Sequence, residues 1–129
     1  MSKLSETKLN DFTLRFAVAN DVPLILSFIK ELAAYEHLLP AVMATEEILK
    51  ESLFERKAAE VIIGEYNGKP VSYALFFYNF STFLGKPGIY LEDLYVQPEL
   101  RGKGIGKIML DFITGAFIPV CGGNVMPTI

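Results

Sequence analysis

The sequence predicts an α/β (α+β) domain in which a mixed, mainly antiparallel sheet is flanked by helices. Three observations carry this. Four segments have strand character: Phe12 to Val18 alternate apolar and polar residues, while Ala59 to Tyr66, Val71 to Phe80 and Ile89 to Val96 are rich in β-branched and aromatic residues. Two others repeat apolar residues at helical spacing, from Val22 to Ala33 and from Ile105 to Phe112. Finally, Asn67-Gly68 joins two strand segments with a type I′ turn signal, so that pair must run antiparallel. The order β, α, α, β, β, β, loop, α suits a sheet with helices packed on it.

Taken in order, residues 1–11 are polar and predicted to be flexible. The first strand follows, with Phe12, Leu14, Phe16 and Val18 on one side. Asn20 is placed to cap the next helix, and Pro23 fits its first turn, where a missing N–H is tolerated. Val22, Ile25, Leu26, Ile29, Leu32 and Ala33 then share a face that can pack on the sheet. After a loop from Glu36 to Ala44, Thr45 caps a short helix whose first turn carries Glu46 and Glu47, well placed for the helix dipole. The hairpin centred on Asn67-Gly68 comes next. Its aromatic run, Phe76, Phe77, Tyr78 and Phe80, resembles a base-stacking platform in composition, but no basic residues interleave it, so it is read as core. Ile105, Ile108, Met109 and Phe112 give the last helix its buried stripe.

With 129 residues, 51% of them hydrophobic, the chain is expected to form one domain over 1–129. Its net charge of −3 argues against nucleic acid or an anionic membrane as the main partner, and is compatible with a cationic amine. One cysteine, Cys121, cannot make an internal disulfide; with no signal pattern and no bilayer-length apolar run, a cytoplasmic setting is expected. His37 follows Tyr35-Glu36 in a loop and is read as solvated, and no metal site is expected.

The most informative stretch is Gln97 to Lys107, a glycine-rich loop joining the strand that ends at Val96 to the helix beginning near Ile105. Glycines admit a ligand close to the backbone, and the free N–H groups of a first helical turn favour an anion. A Walker A loop is excluded, because Gly102 and Gly106 are separated by three residues and Lys107 precedes Ile108. The dinucleotide fingerprint is excluded because Gly102, Gly104 and Gly106 alternate without its two-residue gap. A pyrophosphate is the expected guest.

Arg101-Gly102-Lys103-Gly104-Ile105-Gly106 resembles the coenzyme A pyrophosphate loop of the GNAT superfamily of N-acetyltransferases. Leu84 to Val96 upstream, and Ile29 to Glu36 before that, are similar to the diamine, spermidine and thialysine acetyltransferase branch, and the resemblance spans roughly residues 14 to 113. It implies the acyl-CoA N-acyltransferase fold and an acetyl-CoA-dependent N-acetyltransferase acting on a primary amine of a small molecule, a polyamine, diamine or lysine-like amino acid. In that frame the backbone from Gly102 through Lys103, Gly104, Ile105 and Gly106 to Lys107 holds the pyrophosphate, with Arg101 and Lys103 adding charge. The main chain of Leu94, Tyr95 and Val96 holds pantetheine. Glu92 holds the substrate ammonium or takes its proton, and Tyr35 and Glu36 touch the amine chain. That proton must leave, because only the free lone pair attacks a thioester. Strand alternation puts Tyr90, Glu92, Leu94 and Val96 on one face and Leu91, Asp93 and Tyr95 on the other. Glu92 and Asp93 therefore cannot share a site without a bulge.

The resemblance lapses near Thr114. The superfamily's usual C-terminal strand, helix, final strand and thiolate-protonating tyrosine have no counterpart in residues 115–129, an atypical tail whose glycines and prolines make a poor strand or helix, and no tyrosine follows Tyr95. An open sheet edge is then expected to pair with a second copy, giving a homodimer. The alternative function is a catalytically impaired remnant serving as an acyl-CoA-binding or protein-interaction module.

Overall fold

Strand β2 (Phe12–Phe16) sits in the interior of the sheet because its alternating Phe12 and Leu14 must both be buried, and they are at 1% exposure. The computed structural model describes residues 5–7, 9–121 and 125–127. Its six strands lie in chain order: β1 (Ser5–Glu6), β2, β3 (Glu60–Tyr66), β4 (Lys69–Ser81), β5 (Lys86–Val96) and β6 (Val125–Pro127). Every neighbouring pair is antiparallel except β5 with β6, as a mixed, mainly antiparallel sheet requires. Asn67 and Gly68, at φ 53° and 77°, make the β3–β4 turn in the left-handed conformation that type I′ demands.

Helices cover both faces. On one, α1 (Val22–Tyr35) and α2 (Glu46–Lys50, continued by a π-helical turn Glu51–Glu55) pack with Val61, Ile63, Tyr73 and Tyr95. On the other, α3 (Ile105–Cys121) places Ile105, Met109 and Ile113 against Phe12, Ile62, Phe76 and Leu91. Thr45 Oγ1 accepts the Ile48 N–H at 3.2 Å, so the expected cap of α2 forms.

Several expectations are corrected. Residues 5–6, inside the stretch predicted to be flexible, pair with β2. The residue flanking α1 is Asp21, not Asn20, and its carboxylate does not cap the helix: it accepts from Val18 N–H and from Arg15, which also donates to Glu65. Phe28, absent from the expected α1 face, is buried at 1% exposure. Of the aromatic run, Phe76 is core, whereas Tyr78 and Phe80 are 45% and 63% exposed. The tail also differs. α3 runs on through Gly115 to Cys121, and β6 pairs with Ile89–Leu91, because the edge of β5 supplies hydrogen-bonding partners that outweigh poor local propensity.

The register of β4 with β5 contains the most consequential departure. Leu75 pairs with Asp93 and Phe76 with Leu91, so Glu92 is the extra residue of a β-bulge. Ordinary alternation is broken there: Leu91 joins the α3-side core together with Leu94 and Val96, while Tyr95 lies in the α1-side core.

Candidate active site

The bulge and the glycine loop flank one cleft. Pairing of β6 stops at Leu91, so among the described residues no strand lies on the outer edge of β5 from Glu92 to Val96. Beside that edge a cleft of about 620 Å³ opens between the end of α1 and the start of α3. Leu94, Tyr95 and Val96 form its floor, Tyr35 and Glu36 one wall, and Arg101, Gly102, Gly104, Ile105 and Gly106 the other. Ten of the residues expected from sequence thus meet at one place.

Local geometry explains the loop. After Val96, Pro98–Leu100 makes one 3₁₀ turn, and Gly102 and Gly104 take φ of 89° and 82°, a region open to glycine at little cost. A Cβ built on either meets nothing within 4 Å, so the backbone faces open space a ligand can enter. The N-terminus of α3 begins directly behind it, at Ile105. This loop, the uncovered strand edge and the cleft suit the pyrophosphate and pantetheine arm of coenzyme A.

Side chains are less uniformly placed. Arg101 Nε donates to the Val96 carbonyl at 3.0 Å, and its guanidinium lies 4.5 Å from the Tyr35 ring centroid and 5.7 Å from that of Tyr95. It straps the strand end to the end of α1. Lys103 Nζ stands 5.5 Å from the Tyr66 ring centroid, and Lys107 pairs with Asp111 at 3.0 Å. Neither lysine lines the cleft, and Glu92, exposed at the bulge, does not line it either. His37 is exposed in a turn at φ 61°.

Three residues that sequence reasoning passed over complete the surroundings. Tyr95 Oη donates to Glu31 Oε1 at 3.0 Å, and Gln97 Nε2 donates to the same oxygen at 3.4 Å. Burial first, and then the Glu31 hydrogen bond, push the Tyr95 phenol up to about 12. Tyr73, wholly buried in β4, donates from Oη to Asp93 Oδ2 at 2.6 Å. Burial, followed by the charge of Asp93 and the hydrogen bond to it, raises the Tyr73 phenol far above its ordinary value, with Glu36 and Glu92 adding to the same effect. The only sequence signal for Tyr73 was a tyrosine inside a buried strand, whose hydroxyl must find an acceptor. Among the described residues no group of three or more His, Cys, Asp or Glu is placed to hold a metal ion, and no helix is long and apolar enough to cross a membrane.

A mixed sheet with an open strand edge running into a glycine loop and a helix N-terminus defines a coenzyme A-type acyltransferase architecture. The chain belongs to the Acetyltransferase (GNAT) family, whose model matches residues 27–118. It is 39% identical to the thialysine N-epsilon-acetyltransferase of Bos taurus, over 73% of this chain and 60% of that protein. To the spermidine/spermine N(1)-acetyltransferase-like protein 1 of Homo sapiens it is 36% identical, over 83% of this chain and 16% of that protein. The chain therefore spans less than two thirds of these relatives. Among solved structures, a predicted acetyltransferase from Clostridium acetobutylicum with acetyl-CoA superposes with a TM-score of 0.75 at 21% identity, covering 92% of this chain and 80% of that one.

Proposed function

We propose that this site transfers an acetyl group from acetyl-CoA to a primary amine of a small molecule, a polyamine, diamine or lysine-like amino acid. One observation carries the reading: Gly102 and Gly104, in left-handed conformations that open the backbone to a ligand, lie at the end of a strand whose outer edge is uncovered. The relatives named for spermidine/spermine and thialysine acetylation favour an amine acceptor.

Acetyl-CoA supplies an activated acetyl thioester. The backbone of Gly102 to Lys107 holds its pyrophosphate, and the main chain of Leu94, Tyr95 and Val96 holds pantetheine along the open edge. The incoming amine arrives protonated and must lose a proton before its lone pair can form the new N–C bond. Glu92 takes that proton, directly or through water. As the N–C bond forms and the C–S bond breaks, the nitrogen gives its second proton to water, and the departing thiolate takes a proton from water. Tyr35 and Glu36, on the opposite wall, guide the amine chain. A second copy packed on the exposed β4–β5 hairpin tip makes the working unit a homodimer, in a cytoplasmic setting.

Calorimetric titration with acetyl-CoA tests the cradle. Saturable micromolar binding, lost in Gly104→Asp, is expected, since aspartate strains a left-handed position and sets a carboxylate against the pyrophosphate. A folded chain that does not bind acetyl-CoA overturns the reading. Binding with no turnover of any amine would leave the acyl-CoA-binding module in its place.

A further inference from the structure

One stripe of α1 meets the end of β5. Phe28, Glu31 and Tyr35 follow one another at the three- and four-residue spacings that stack side chains along one helix face. The Phe28 ring packs on that of Tyr95 with centroids 6.2 Å apart, Glu31 accepts the Tyr95 hydroxyl, and the Tyr35 ring lies under the Arg101 guanidinium. The second half of α1 is thus fastened, step by step, to the strand and to the loop that follows it.

Glu31 is the acid of this stripe, and several donors converge on it. Its Oε1 takes the Tyr95 Oη at 3.0 Å and the Gln97 Nε2 at 3.4 Å, while Oε2 takes the Ser27 Oγ at 3.4 Å one turn earlier. Tyr95 is 5% exposed and Glu31 half-buried. A hydrogen bond from a neutral hydroxyl to a shielded carboxylate is among the stronger kinds in a protein, whereas the Arg101–Tyr35 contact joins two exposed side chains. The groups that Glu31 joins belong to different parts of the cleft. Tyr95 lies in its floor and Gln97 opens the glycine loop; Tyr35 and Glu36, at the end of the helix that carries Glu31, form the facing wall.

We propose that Glu31 is a positioning residue for acetyl transfer, fixing the amine wall at the end of α1 against the coenzyme floor on β5. This rests on the acetyltransferase reading and deepens it. Glu31 does not line the cleft and touches neither reactant; it acts through Tyr95 and Gln97. When it is lost, each wall keeps its own contacts to its reactant, but the separation of the two walls is no longer fixed. Acetyl transfer depends steeply on that separation.

The test uses the full chain with Glu31→Ala, Glu31→Gln, Tyr95→Phe and the double variant Glu31→Ala with Tyr95→Phe. The amine is putrescine or lysine, whichever the unaltered chain turns over faster, and thermal unfolding checks that each protein folds. Calorimetry gives the affinity for acetyl-CoA, and for the amine in the presence of coenzyme A; thiol release gives kcat. Glu31→Ala should lower kcat about tenfold while both affinities change less than about twofold. Glu31→Gln, which keeps an oxygen for Tyr95 and Gln97, should bring kcat back to within about threefold of the unaltered chain. In the Tyr95→Phe background Glu31→Ala should cost only about threefold, since the main residue it acts through is already altered. An unchanged kcat, a loss of affinity as large as the loss of kcat, equal losses in the alanine and glutamine variants, or additive effects overturn the positioning role and leave the acetyltransferase reading intact. Absence of acetyl-CoA binding, or of turnover of both amines, by the unaltered chain overturns both.

Discussion

Arg15 links β2, β3 and the entry to α1 by donating to Asp21 at 2.7 and 2.8 Å and to Glu65 at 2.8 Å. The Arg15 hydrogen bond holds the Asp21 carboxyl below its ordinary 3.8, against the opposing effect of burial. A depressed carboxylate contributes stability that is present above its unfolded value and lost as pH falls through the folded one. Stability should therefore decline below about pH 4, and Asp21→Asn should lower neutral-pH stability by about 2 kcal/mol in urea unfolding while shrinking that acid decline. Tyr95 behaves oppositely. Its phenol is raised from 10.0 to about 12, so its contribution is complete below pH 10 and lost as pH rises toward 12; Tyr95→Phe should flatten that alkaline decline in thermal scans. Across the cleft, Glu36→Gln should weaken a diamine about fivefold and a monoamine hardly at all. Equal KM changes for the two would remove Glu36 from the second-ammonium role. At this scale the loop residues Arg101 to Gly106 were legible in sequence, because a glycine's conformational freedom is local. Tyr73 and Glu31 were not, since each acquires its role from a partner 20 or 64 residues away.

Each element owes its ends to a few side chains. Thr45 Oγ1 satisfies one of the free N–H groups of α2, and Thr45→Ala should cost about 1 kcal/mol in denaturant unfolding, with acetyl-CoA affinity unchanged because α2 is remote from the cleft. The strands of the β3–β4 hairpin followed from β-branched and aromatic runs and from the Asn67-Gly68 turn. The bulge in β5 had no such signature, because a two-against-one pairing is a property of two strands together. Alternation assigned Leu91 to the face of Tyr95, and the structure assigns it to the face of Leu94. In the same way, the glycines and prolines of the tail predicted a poor helix, yet α3 continues to Cys121.

For the whole molecule, the surface that a second copy can use is the β4–β5 hairpin tip, where Phe80, Phe83 and Leu84 are 63% or more exposed. Sedimentation should show a dimer at micromolar concentration, and Phe83→Asp should shift it toward monomer; a strictly monomeric unaltered chain would remove the dimer. By itself the sequence determined the helical and strand periods, the hairpin, and the glycine loop with its strand-to-helix setting. These depend on backbone preferences over a few neighbouring residues. The tertiary structure decided how the pieces are registered: which acid the bulge displaces, that Tyr73 holds Asp93, that Arg101 lies over Tyr35, and that Val125–Pro127 pairs with β5. Those facts depend on side chains and strand edges brought together from distant positions, where packing and hydrogen-bond satisfaction outweigh local propensity.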